Sequence, residues 1–249
     1  MLEFRSPPDF RFAVARTSQS PFPLAVMPTE NRKKFLKKKN MNQLVNEIIS
    51  TTIQVVLFTL IPFIFFLFRK DKNVTFLNYI GLFRPTIKSV SYVLFASILF
   101  LIAGVVMIFL NETIKQALIS PPSVTGILRT MGLNGTSIII LLIVAIFKTA
   151  LAEEILFRGF IAKHLTKKLG FTTGNLIQAT IFAVIHLLLF WALTKTTLIF
   201  LLFSLIFSFV AGWTIGYIKE KYANGSIIPG WIAHAIGNTL SYVIIAFVI

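Results

Sequence analysis

The segment TSIIILLIVAIFKTALAEEILFRGFIA, residues 136–162, decides how the chain is read. It is long enough to cross about 30 Å of hydrocarbon at about 1.5 Å per residue, yet it carries Lys148, Glu153, Glu154 and Arg158. An ionisable group inside a membrane helix costs roughly 3 kcal/mol on insertion scales, and is tolerated where it faces a bundle interior and finds partners. Such a segment belongs within a helix bundle, and its charges mark a candidate site. It runs on towards Lys168, which predicts either one long kinked helix or a span joined to a second, partly amphipathic helix.

Outward from this segment the pattern repeats. Apolar runs at about 48–68, 90–110, 174–194, 196–218 and 227–249 have membrane-spanning length. The expected fold is all-α, a polytopic transmembrane helix bundle of six spans, with seven as the alternative. Of the 249 residues, 56% are hydrophobic and 13% charged, and mean hydropathy is +0.82. A soluble domain carries about 25% charged residues, and could not bury this much apolar surface. The chain has no cysteine, which removes disulfides, thiolate nucleophiles and cysteine-bound zinc. A net charge of +15 does not imply nucleic-acid binding, because the lysines flank apolar runs, where they hold loops at a cytoplasmic surface and touch anionic lipid.

Basic residues favour the loops 69–88, 163–173 and 219–226, an alternation that suits six spans with both termini outside. The basic run 32–39 disagrees unless translation starts at Met41 or an extra element precedes residue 69. Residues 1–44 are expected to be a disordered, basic N-terminal region, with a mis-assigned start as an alternative, and 45–249 the transmembrane domain. The longest interior loop, 111–135, holds Pro121, Pro122 and a stretch, 124–131, that suits a short interfacial helix and a candidate lid.

The chemistry concentrates in three spans. Glu153 and Glu154 are the only acidic residues within the predicted spans, and two of the three histidines, His186 and His234, lie in others. Glu154 and Arg158 are four apart and share a helix face, suiting a structural ion pair, while Glu153 points about 100° away. His234 and Asn238, also four apart, put an imidazole and a carboxamide on one stripe. His164, among Lys163, Lys167 and Lys168, reads as a surface residue.

Three ordered patterns, Glu153-Glu154-x-x-x-Arg158, Phe182-x-x-x-His186 and His234-x-x-x-Asn238, resemble the motifs of the CPBP family of intramembrane proteases, which includes type II CAAX prenyl endopeptidases and bacterial Abi proteins. The resemblance covers about residues 145–245. It implies an endopeptidase in which Glu153 and His186 activate a water while His234 and Asn238 stabilise the oxyanion, with Glu154 and Arg158 anchoring their helix. Its substrate would be a membrane-associated peptide or protein precursor, of CAAX type or a bacteriocin or pheromone peptide, and its setting a bacterial plasma membrane. The family carries the label metalloprotease. Glu153, His186 and His234 are zinc-ligand types, yet no His-Glu-x-x-His spacing is present, and a metal-free mechanism uses the same residues. The competing reading is a non-proteolytic membrane immunity or peptide-binding protein.

Overall fold

The computed structural model describes residues 27–69, 73–193 and 197–249. Every regular element among them is helical. The expected disorder of residues 1–26 lies outside the described residues. From Thr29 onwards the chain is already helix, through the remainder of the expected disordered region: α1 spans Thr29–Leu67. Lysine-rich sequence of this kind, with Leu36, Met41, Gln43 and Leu44, has adequate helix propensity despite its asparagines once a longer apolar helix supplies the nucleus. The exposed Glu30–Lys34 pair, 2.7 Å apart at i,i+4, adds a little. The chain divides into two units, Met1–Lys39 and Asn40–Ile249, and the second holds everything that follows.

Among the described residues, six helices are long and apolar enough to cross a membrane: Thr29–Leu67, Ile87–Leu110, Gly135–Leu169, Phe171–Ala192, Leu198–Tyr222 and Ile228–Val248. Short helices α2 (Phe76–Ile80), α4 (Glu112–Ile119) and α5 (Val124–Met131) connect them; α3 is Ile87–Leu110. Their ends are set by side-chain caps. Thr86 accepts from Ser89 N at the start of α3, Asn111 from Ile114 N at the start of α4, and Ser123 from Gly126 N at the start of α5. The helix expected over 124–131 is therefore present, while α4 was not foreseen in what reads as loop.

The segment 135–169 is one continuous helical span. It opens as α6 (Gly135–Leu142), capped by an Asn134–Ser137 capping box, and ends as α7 (Lys163–Leu169). Between them lie two π-helical stretches, Ile143–Leu151 and Glu154–Ala162. Such wide turns are rare and concentrate at functional sites. Two carbonyls in the first stretch accept side-chain donors: Trp231 Nε1–H bonds Ile146 O at 2.9 Å and Gln54 Nε2–H bonds Lys148 O at 2.8 Å.

Beyond Gly170, at φ +79, α8 (Phe171–Leu193) turns back and packs along α9 (Leu198–Tyr222). The contact uses small residues at every fourth position of α9: Ser204, Ser208, Gly212 and Gly216 are all buried, the spacing that lets membrane helices approach closely. A Cβ on Gly216 would lie 2.0 Å from Asn175 Oδ1, so the polar lock there depends on glycine. Asn175 donates to Trp213 O, and Gln178 donates to Gly212 O and to Asn175 Oδ1. The last span is α10 (Ile228–Val243), closed by a π turn, Ile244–Val248.

The three basic loops meet at one end of the bundle. Lys163 Nζ donates to Tyr79 O, Ile227 N to Gly81 O, Ser226 Oγ to Phe83 O and Thr86 Oγ1 to Tyr222 O. Gly81 is required here twice over, by its φ of +82 and because a Cβ would lie 2.6 Å from Gly225 O. His164 is not a free surface group. It is half-buried among Phe65, Tyr79 and Phe160, with Nδ1 2.8 Å from Phe160 O and Nε2 3.3 Å from Tyr79 Oη.

Candidate active site

Glu153 projects from the long third span into a cavity of about 350 Å³. Thr149, Glu153 and Arg158 from that span, Phe182 and His186 from α8, and His234 and Asn238 from α10 all line it. Its other walls are apolar, built chiefly by α3 and α9 through residues such as Phe100, Ile108, Phe200, Phe203 and Phe207. Glu153 Oε2 lies 4.0 Å from His186 Nε2 and 3.8 Å from His234 Nε2, and is buried with no hydrogen-bond partner among the described residues. A carboxylate left bare in an apolar surround is costly. Here the two imidazoles sit just beyond direct hydrogen-bond reach.

The orientation of His186 follows from its own helix turn. Its Nδ1 lies 2.9 Å from the carbonyl of Phe182, which can only accept, so Nδ1 carries the hydrogen. In the neutral ring Nε2 is then a lone pair facing Glu153. Phe182 fixes the ring as well: its own ring centroid is 4.2 Å from that of His186, and Arg158 Cζ lies 4.2 Å above it. The phenylalanine four residues before the histidine thus joins the imidazole to the buried guanidinium, with Phe157 edge-on behind.

Glu154 faces away into a dry pocket. Both it and Arg158 are wholly buried, with Arg158 Nη1 3.3 Å from Glu154 Oε1. The pair is close in distance without a well-aligned hydrogen bond, so Coulomb attraction at low dielectric holds it. His234 Nδ1 adds a third member at 3.6 Å from the same Oε1. His234 therefore stands between the two glutamates, one ring nitrogen facing each. The pocket is tight because Gly230 forms its wall, where a Cβ would fall 2.5 Å from Glu154 Oε2. Gly212 borders the pocket more loosely, where a Cβ would meet Phe182 Cδ1 at 3.3 Å and Arg158 Nη2 at 3.5 Å.

Asn238 Nδ2 donates to Thr149 Oγ1 at 2.8 Å. Thr149 was not singled out from the sequence, although it stands one turn before Glu153. The sequence also misses Glu47. With the first span read as starting at 48, only Glu153 and Glu154 appear intramembrane. In the structure Glu47 lies within α1, and Lys148 Nζ reaches its Oε2 and Ser50 Oγ, both at 2.9 Å. A lone lysine in an apolar run was the available signal that such a partner exists.

The resemblance implies Glu153, His186 and His234 as zinc ligands, and their spacing bears on that. Zinc bound at about 2.0–2.1 Å in a tetrahedron holds its ligand atoms about 3.3 Å apart. The separations of 4.0 and 3.8 Å are wider, and among the described residues no group of three or more His, Cys, Asp or Glu is arranged to hold an ion. As placed, these three residues do not fit zinc.

Residues 135–240 match the family described as type II CAAX prenyl endopeptidase Rce1-like. The matched segment contains Glu153, Glu154, Arg158, His186, His234 and Asn238, and the family it matches agrees with the one that the three motifs resemble. No curated protein and no solved structure matches the chain.

Proposed function

We propose that the chain is an intramembrane endopeptidase of CAAX type that hydrolyses a peptide bond in a membrane-associated substrate with a water activated by Glu153 and His186. The observation that carries this reading is the pair of acceptors facing each other across 4.0 Å, Glu153 Oε2 and His186 Nε2. Two acceptors cannot bond each other, but a water between them can donate one hydrogen to each. At about 2.8 Å from both atoms it would bend by about 90° between them, near the angle of its own two hydrogens. Its oxygen lone pairs then face away from both acceptors, as a nucleophile requires.

In the reaction Glu153 takes one proton as the water oxygen bonds to the substrate carbonyl carbon, whose oxygen becomes anionic. His234, carrying a hydrogen on both ring nitrogens so that Nδ1–H faces the Glu154 carboxylate and Nε2–H faces the cavity, and the Asn238 carboxamide donate to that oxygen. On collapse the C–N bond breaks, and Glu153 passes its proton to the departing amine. Glu154 and Arg158 hold the helix and turn Nδ1 of His234 towards Glu154. The apolar walls from α3 and α9 suit a substrate with large apolar groups beside the scissile bond, and they exclude bulk water.

The test is cleavage of an internally quenched, S-farnesylated CAAX peptide by the detergent-purified full chain in water enriched in ¹⁸O, with an unprenylated apolar peptide in parallel. The expected result is one cut with a single ¹⁸O in the new carboxylate, unaffected by exhaustive chelation. Binding of both peptides without any cut would instead favour the sequestering, non-proteolytic reading.

A further inference from the structure

We propose that Thr149 is a positioning residue for the Asn238 carboxamide, an inference that rests on the peptidase reading above. Thr149 lies in the π-helical stretch Ile143–Leu151 and lines the same cavity as Glu153 and Asn238. Its hydroxyl has one hydrogen, and that hydrogen is directed back along its own helix, with Val144 O at 3.0 Å and Ala145 O at 3.2 Å. Carbonyls only accept, so Thr149 must be the donor there. Towards Asn238 its oxygen can then offer only lone pairs.

That fixes the amide. A carboxamide has an accepting and a donating end, and either could face a hydroxyl free to rotate. Opposite a hydroxyl whose hydrogen is already committed, only the NH₂ end is satisfied, as found at 2.8 Å. One N–H is held by Thr149, and the second is left to the cavity as a donor. Were the amide to turn over, its carbonyl oxygen would face Thr149 Oγ1, and an acceptor would meet the developing oxyanion. The π-helical stretch contributes, because its wide turn brings Val144 O, five residues back, as close to the hydroxyl as Ala145 O. The dependence is one of direction: Thr149 touches no reacting atom, and it keeps the Asn238 donor pointed at them.

The experiment compares the full chain with Thr149→Val, which keeps the shape and removes the hydroxyl, and Thr149→Ser, which restores it. Cleavage of the quenched farnesylated peptide is followed together with the side-chain amide signal of Asn238 in protein labelled with ¹⁵N-asparagine, assigned by its loss in Asn238→Asp. The valine variant is expected to lose about 10- to 100-fold in kcat with KM within about threefold, and to lose the slow exchange of one Asn238 amide hydrogen. The serine variant is expected to recover both. A valine variant with kcat within about twofold of the parent, or a serine variant no better than valine, overturns the proposal. If the parent cleaves neither peptide, the peptidase reading falls by itself. The amide signal then decides, and an Asn238 signal unchanged by Thr149→Val removes the positioning role.

Discussion

Glu153 and Glu154 are adjacent, chemically identical and placed in opposite circumstances. Glu153 looks into a cavity, 13% exposed, with an imidazole on either side, while the Arg158 guanidinium is paired with Glu154 instead. Glu154 looks into packed protein, with Arg158, His234 and the bare backbone of Gly230 around it. A step of about 100° around the helix separates a group that can exchange a proton with a small molecule from one locked in a buried ion pair. In the peptidase proposed above, environment would assign the roles, as it does wherever paired carboxylates divide a task. Neither residue type nor position in the sequence would do so alone.

The largest effect on stability should come from breaking the dry side. Arg158→Ala leaves Glu154 buried without its cation, a loss on the order of 3–5 kcal/mol. Folded protein recovered after detergent extraction, and its melting temperature, should both collapse. Normal yield would show that Glu154 takes up a proton or finds another partner, and would dissolve the contrast between the two sites.

A smaller effect is expected where the dry pocket is closed by a missing side chain. Gly230→Ala places a methyl 2.5 Å from Glu154 Oε2 and 2.7 Å from Ile215 Cγ2. Overpacking of this kind costs about 1–3 kcal/mol. Since His234 is one turn further along α10, the displaced carboxylate should also disturb its ring. A melting curve measured beside peptide cleavage should show both losses, whereas a melting temperature equal to the parent's would mean that the pocket is looser than described.

The smallest effect belongs to the opposite face of the third span. Glu47→Gln removes the charge partner of Lys148 but leaves Ser50 Oγ within reach. The pair is partly exposed, so the loss should be about 1 kcal/mol, with kcat on the folded protein within about threefold of the parent. A larger fall in kcat would make α1 part of the catalytic support.

Much of this was legible in the sequence, for physical reasons that differ from element to element. The six spans follow from run length and hydropathy. The convergence on Glu153 follows from the expense of intramembrane charge, since residues so costly are kept where they meet. The ordered motifs gave a family resemblance, and the match over residues 135–240 is to that same family. The first π-helical stretch was not legible, because carbonyls there accept from Trp231 and Gln54, tertiary donors that no local pattern announces. Glu47 was lost to a boundary placed one residue too late, and Thr149 to its ordinary appearance in an apolar helix, where a hydroxyl commonly bonds only its own backbone. Gly230 reads as one among 13 glycines, and only the packing against Glu154 shows what its bareness admits.

The central claim is that the cavity-facing glutamate is the base and its neighbour is not. It is tested most directly by single-turnover cleavage of the farnesylated peptide with Glu153→Gln and Glu154→Gln, each normalised to its folded fraction. Glu153→Gln should fold to the parent's yield and cleave at least about 1,000-fold more slowly, a loss of about 4 kcal/mol of transition-state stabilisation. Glu154→Gln should yield less folded protein, and what folds should retain measurable cleavage. A Glu153→Gln variant that cleaves within tenfold of the parent would contradict the account and move the base to Glu154 or to a residue outside the cavity.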